Sequence, residues 1–208
     1  MQKLIKQILD DAAQGFGGRI NGKRAGSFGD IATTSLFPAK PLGCYGDGGA
    51  VFTDDDDLGA MLRSLRVHGK GTDKYDNVRI GLNSRLDTIQ AAILIEKLNN
   101  FPWELEQRQK AANAYNQELS GAFHIPTVRE GYLSSWAQYT VRPKRGSREE
   151  HMAAYKEKGI PTAVYYATNM RQQTALQHYV DNQECFPIAD KLAKEVFSLP
   201  MHPYPIST

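Results

Sequence analysis

A chain of 208 residues, 41% of them hydrophobic, can bury a substantial core in one large or two small domains. Its 25 Lys and Arg against 23 Asp and Glu leave a net charge of +2 with no basic run, which argues against a nucleic-acid-binding protein. Cys44 and Cys185 stand alone, without the paired spacing of a zinc site or a disulfide framework, and predict reduced thiols in a cytoplasmic protein with no metal centre. The opening MQKLIKQILDDAAQ is broken by Lys and Gln and is followed by no small-residue cleavage site. No stretch approaches a membrane-spanning length.

In chain order, KLIKQILDDAAQ begins apolar and ends in carboxylates and a small-residue turn. With GDIATTSLF and GGAVFT, β-prone runs with glycines near their ends, it predicts three short strands. DDDDLGAMLRSLRVHG reads as a helix: acids crowd its start, Leu58, Met61, Leu62 and Leu65 form a stripe, and Gly69 follows its end. GKGTDKYDNVRIGLNSR is a long polar loop. Ile89, Ala92, Ile93 and Leu94 open a further helix that Pro102 bends or restarts, with Gly121 as its stop. Beyond it SSWAQYTVRP predicts a strand, SREEHMAAYKEKG a capped helix, IPTAVYY a strand and PIADKLAKEVFSLP a helix, together a small α/β layer. The intervening ATNMRQQTALQHYVDNQECF is long for a connection, a length that often accompanies function.

The stretch FPAKPLGCYGDGGA sets Lys40 between prolines and ahead of four glycines, a setting that can hold a lysine close to a bound ligand. A lysine whose amine is desolvated is nucleophilic enough to form a Schiff base with a carbonyl or with pyridoxal phosphate. A lone lysine is ordinarily a solvated loop residue, but two further features favour the chemical reading. Asp11 ends a predicted strand, where a carboxylate can pair with a pyridinium nitrogen. Ser35, five residues before Lys40, can offer a hydroxyl to a phosphate.

The ordered series DDAAQGFGG, GSFGDIATTSLFPAKPLGCYGDGGAVFTDD and HGKGTDKYDNVRIGLNSRLDTIQAAILIEKL resembles the pyridoxal-phosphate-dependent nucleotide-sugar aminotransferases of the DegT/DnrJ/EryC1/StrS type. The resemblance covers almost the whole chain. Around RIGLNSRLDTIQAA it is nearest to enzymes that aminate the 3-keto group of a UDP-linked N-acetyl hexuronic acid, with glutamate as donor. It implies an α/β, aspartate-aminotransferase-like (fold type I) architecture. Residues 1–105 would be part of the large pyridoxal-5′-phosphate-binding domain and residues 106–208 the small C-terminal α/β domain. It also implies a homodimer with a shared active site and a place in polysaccharide or lipopolysaccharide precursor synthesis.

Carried over position by position, the resemblance gives Lys40 the Schiff base and the proton shuttle. Asp11 pairs with the pyridinium nitrogen, Gln14 lies near the ring, and Ser35 binds the phosphate. Asn83 reaches that phosphate from the neighbouring subunit. Arg85 reads equally as a grip on a substrate carboxylate or as a helix-start surface residue. Tyr165 and Tyr166 stand where the family places substrate contacts, although strand tyrosines more often serve packing. Asp10 stands where the family usually has Glu and is expected to pack or face solvent.

Two departures bear on substrate and completeness. The family's Pro-Leu-His after the tyrosine pair is replaced by TNMRQQ, with Arg171 in the histidine position. The family also carries roughly another domain's worth of sequence ahead of DAAQ, so the chain reads as a C-terminal portion that is inactive and self-associating on its own. The competing readings are a non-catalytic remnant or interaction module of the same fold, and a related sugar dehydratase. Lys40 argues against the dehydratase, because those relatives replace the lysine.

Overall fold

The computed structural model describes residues 7–180 and 185–204. The expected apolar opening at residues 3–6 and the DNQE of the long loop lie outside them. The elements are β1 (Leu9–Asp11), β2 (Arg19–Ile20), β3 (Lys23–Arg24), β4 (Ile31–Ser35), β5 (Gly49–Phe52), α1 (Asp56–Leu65), α2 (Thr88–Leu119), β6 (Phe123–His124), β7 (Tyr132–Leu133), β8 (Tyr139–Pro143), α3 (Arg148–Glu157), α4 (Pro187–Glu195) and β9 (Phe197–Leu199). They divide into two compact units, Met1–Leu105 with Val128–Ala137, and Glu106–Thr127 with Gln138–Thr208.

In the first unit the three expected strands form one sheet in the order β1-β4-β5, with β1 parallel and β5 antiparallel to β4. Alternation along β4 buries Ala32 and Thr34 and leaves Ile31, Thr33 and Ser35 on the other face. Leu36, Leu42, Cys44, Leu94 and Phe101 make a core cluster, with Phe16, Leu86 and Leu105 packed against it. Phe16 stacks on both Phe52 and Phe101, at centroid distances of 6.0 and 5.8 Å. Asp55 caps α1 by accepting the Leu58 amide, as the acidic run predicts.

A second small sheet, in the order β3-β2-β7, escapes the sequence reading. Its hairpin turns on Asn21-Gly22, both at positive φ (49° and 82°), a dipeptide suited to a two-residue turn. The strands are two residues each, too short to show alternation.

In the second unit β6, β8 and β9 form an antiparallel sheet with β8 central. Phe123, Tyr139, Val141, Phe197 and Leu199 are buried in it. The Phe197 ring meets Phe123 edge-on at 5.9 Å and Tyr155 of α3 at 6.0 Å. Ser147 caps α3 in a reciprocal capping box with Glu150, and the Arg148 guanidinium donates to the Ala193 carbonyl of α4.

Of the two readings at Pro102 the restart does not occur, because α2 runs through it as one element. Three expectations are corrected here. IPTAVYY forms no strand: only Ala163 bridges, exchanging backbone hydrogen bonds with Ser198, and Pro161 has no amide to donate. The last helix stops at Glu195, since Phe197–Leu199 buries all three residues by pairing with β8, which outweighs the helical pattern. SSWAQYTVRP is likewise a strand only from Tyr139 onward, and the long loop contains 3₁₀ turns at Met170–Gln172 and Thr174–Tyr179.

Tyr139 sets an alkaline limit on this unit. Its hydroxyl donates to Asn116 Oδ1 at 2.6 Å, and burial, with Tyr115 beside it, pushes its phenol up to about 12 from the usual 10. The folded state therefore holds this proton more tightly than the unfolded chain. The stabilisation is complete below pH 10 and is lost as the pH rises toward 12. Unfolding in denaturant across pH 9 to 12 is expected to show a falling midpoint that Tyr139→Phe flattens.

Candidate active site

The carboxyl ends of the parallel strands β1 and β4 lie side by side, the place where open α/β sheets bind ligands. Asp11 is in register with Thr33, and registered residues of parallel strands point to the same face. Ser35, two residues further along β4, therefore shares that face with Asp11. Pairing continues past the strand ends: the Ala12 amide donates to the Thr33 carbonyl and Thr34 Oγ1 to the Ala12 carbonyl. These bonds fix the relative height of the two strand ends.

Asp11 is exposed, and among the described residues its carboxylate accepts one hydrogen bond, from the Ala13 amide at 3.0 Å. Its second oxygen accepts no hydrogen bond among the described residues, and a carboxylate oxygen can accept one from a cationic ring nitrogen. Ser35 Oγ accepts from the Phe37 amide at 3.3 Å, which leaves its own proton to donate to an anion. Lys40 follows in a turn closed by its amide on the Phe37 carbonyl. It is half-buried, and its amine makes no hydrogen bond or ion pair among the described residues.

The other expected site residues are placed differently. The exposed Gln14 lies within the turn after β1, where its carbonyl accepts from Ser135 Oγ. Asn83 bridges Val67 at the close of the long polar loop, and Arg85 follows it, both exposed. Tyr165 and Tyr166 belong to the second unit, where they meet edge-on at 5.6 Å and line a groove of about 620 Å³ with Met170 and Leu192. Arg171 is engaged with Asp190 at 3.8 Å within that unit.

Asp10, expected to pack or face solvent, has a structural role that spacing did not reveal. Its Oδ2 accepts the amides of Gly26 and Phe28, tying the chain that enters β4 to β1. The loop bearing Asn83 and Arg85 depends on a backbone crossing at two glycines. A Cβ on Gly69 (φ +73°) would sit 1.9 Å from the Arg79 carbonyl oxygen, and one on Gly81 2.1 Å from the Gly69 nitrogen. Gly69→Ala is therefore expected to destabilise the first unit by roughly 2–4 kcal/mol, read as a lowered denaturant midpoint.

Among the described residues no group of three or more His, Cys, Asp and Glu is placed to hold a metal ion, and no helix is long and apolar enough to cross a membrane. The ends of β1 and β4 carry a carboxylate and a hydroxyl, and the turn that follows β4 carries an amine. The architecture is that of the fold type I aminotransferases.

The chain belongs to the DegT/DnrJ/EryC1/StrS aminotransferase family, which it matches over residues 4–205. It is 46% identical over 198 residues to the Pseudomonas aeruginosa UDP-2-acetamido-2-deoxy-3-oxo-D-glucuronate aminotransferase, covering 95% of this chain and 54% of that protein. It is 38% identical to an Acidithiobacillus ferrooxidans UDP-N-acetyl-3-dehydro-α-D-glucosamine 3-aminotransferase, covering 97% of this chain and 54% of that one. Among solved structures it is similar to a family aminotransferase from Brucella abortus, with a TM-score of 0.91 and 46% identity over 97% of this chain and 53% of that one. The chain thus spans about half the length of the relatives it matches.

The residues present fit pyridoxal phosphate. The group asks for a lysine amine, an anion opposite its ring nitrogen and donors for its phosphate. The chain has one candidate for each: Lys40 in the turn after β4, Asp11 at the end of β1, and Ser35 at the end of β4, whose hydroxyl keeps its proton to donate.

Proposed function

We propose that this chain is part of a pyridoxal-5′-phosphate-dependent aminotransferase. Its amino acceptor is the keto group of a nucleotide-linked sugar, a UDP-linked N-acetyl-3-keto hexuronic acid, and its donor is glutamate. The observation that carries the reading is Lys40 itself, a half-buried residue whose amine has no hydrogen bond or ion pair among the described residues, in the turn that follows β4. The similarity to sugar aminotransferases supports the substrate class.

When bound, the cofactor's conjugated ring accepts the electron pair left when a C–H bond beside nitrogen loses its proton. Lys40 would hold the cofactor through its amine, and the same amine would take up and return that proton. Asp11 would keep the ring nitrogen protonated, Gln14 would lie near the ring, and Ser35 would donate to the phosphate. Asn83 contributes to the phosphate site of a partner subunit in a homodimer, and Arg85 grips a carboxylate with two parallel hydrogen bonds. Tyr165 and Tyr166 offer flat apolar faces to the sugar.

On this reading residues 1–105 are part of the large cofactor-binding domain and residues 106–208 form the small domain. The enzyme works in the cytoplasm, on precursors of polysaccharide or lipopolysaccharide. The balanced charge and unpaired cysteines are consistent with that setting.

The test is made on a polypeptide carrying this chain at the full length of its relatives. Incubation with pyridoxal phosphate is expected to give a visible absorbance band, and borohydride reduction with peptide mapping to place the cofactor on Lys40. Glutamate and the UDP-linked 3-keto sugar are then expected to yield the 3-amino sugar by mass spectrometry. Cofactor fixed to Lys70 or Lys74, or no band at saturating cofactor, would overturn the reading.

A further inference from the structure

Between β4 and β5 the chain makes a closed excursion that carries Lys40. Its base is closed by the Leu36 amide on the Gly48 carbonyl, and by the Cys44 amide on the Leu36 carbonyl, each at 2.8 Å. Pro41, Leu42, Gly43 and Cys44, which follow the lysine directly, are all buried. The Cys44 thiol is fully buried and lies within donating distance of the Leu36 and Gly46 carbonyls, at 3.0 and 2.9 Å. One side of the excursion is therefore packed into the core. The returning side, Tyr45–Asp47, is not: Tyr45 is 74% exposed.

Among the described residues, side chains of α2 reach that returning side. Gln90, in the first turn of α2, accepts the Tyr45 amide on Oε1 at 2.7 Å across 45 residues of sequence. A backbone amide can only donate, so the carboxamide oxygen faces Tyr45 and its nitrogen lies toward Gly46. A Cβ on Gly46 would come within 3.2 Å of that nitrogen, so the glycine lets the backbone lie close against the carboxamide. The Lys97 ammonium, from the same helix, stands 5.6 Å from the Tyr45 ring centroid. Gln90 is half-buried, which shields its hydrogen bond from water.

We propose that Gln90 is a positioning residue for Lys40: by clamping the Tyr45–Gly46 backbone to α2, it fixes the excursion that presents the amine. The inference rests on the role given to Lys40 under the proposed function, and its test separates the two. Gln90→Met keeps the length of the side chain and removes the acceptor, whereas Gln90→Glu restores an oxygen at the same position.

The first readouts need no cofactor. In the full chain, Gln90→Met is expected to raise amide exchange over residues 41–48 and to speed acetylation of Lys40, relative to Lys70 and Lys110, on the order of fivefold, the change in a local opening equilibrium when one hydrogen bond is lost. Gln90→Glu is expected to return both toward wild type. The second readout is borohydride-trapped pyridoxal phosphate on Lys40 as a function of its concentration. Half-saturation is expected to rise by a similar factor in Gln90→Met and to recover in Gln90→Glu.

If the wild-type chain traps no cofactor on Lys40, the proposed function fails, and exchange and acetylation still decide the clamp. An unchanged Lys40 acetylation rate in Gln90→Met, with exchange at residues 41–48 raised, would overturn the positioning role. Should Gln90→Met not fold, Gly46→Ala, which crowds the same contact, is expected to speed Lys40 acetylation. An unchanged rate there would equally overturn it.

Discussion

If the proposed function holds, Lys40→Ala is expected to abolish amino transfer in a full-length enzyme containing this chain, with a loss of about 10⁴-fold in turnover, because one side chain would supply both the covalent hold on the cofactor and the proton carrier. The substitution leaves the fold intact. The amine has no hydrogen bond or ion pair among the described residues, and the turn around it is closed by backbone bonds from Lys40 to Phe37 and from Cys44 to Leu36. The unfolding free energy from denaturant titration is therefore expected to stay within about 0.5 kcal/mol of wild type. Turnover and the absorbance band are measured on the same preparation. A folded variant that still turns over at more than a trace rate would remove Lys40 from the chemistry.

Asp11→Asn is expected to leave the cofactor bound and to cut turnover on the order of 10²-fold or more, the scale seen when one preorganised electrostatic partner is removed. The asparagine keeps an oxygen for the Ala13 amide, so the turn at the end of β1 survives. What is lost is the negative charge that the proposed function sets opposite the ring nitrogen, without which the ring would be a weaker electron sink. Spectroscopic titration separates the two effects: cofactor stoichiometry unchanged, turnover lowered. Near-normal turnover would mean that the carboxylate has no part in the chemistry and serves only the turn.

The sequence by itself determined the strands β1, β4 and β5, the capped helices α1 and α3, and the placement of Lys40, Asp11 and Ser35 near strand ends. These are local matters. Side-chain alternation, capping carboxylates and hydroxyls, and proline and glycine around a turn act within a few residues, so their spacing can be read from the chain. The ordered motifs likewise carried the family, since they run through almost the whole length.

The tertiary structure decided what depends on distant partners. Phe197–Leu199 reads as a helix end and becomes a strand because β8 offers a buried edge some 58 residues away, as in the Thr140–Ser198 hydroxyl pair. IPTAVYY reads as a strand and stays irregular, bridging only at Ala163. Asp10 fixes the chain before β4 across 16 residues, and Gln90 reaches Tyr45 across 45, neither visible in any periodicity. The common face of Asp11 and Ser35 likewise follows from the parallel register of β1 on β4, which pairs residues 22 apart. Hydrogen-bond partners of this kind are chosen by where the backbone passes, and no residue's own propensity records that path.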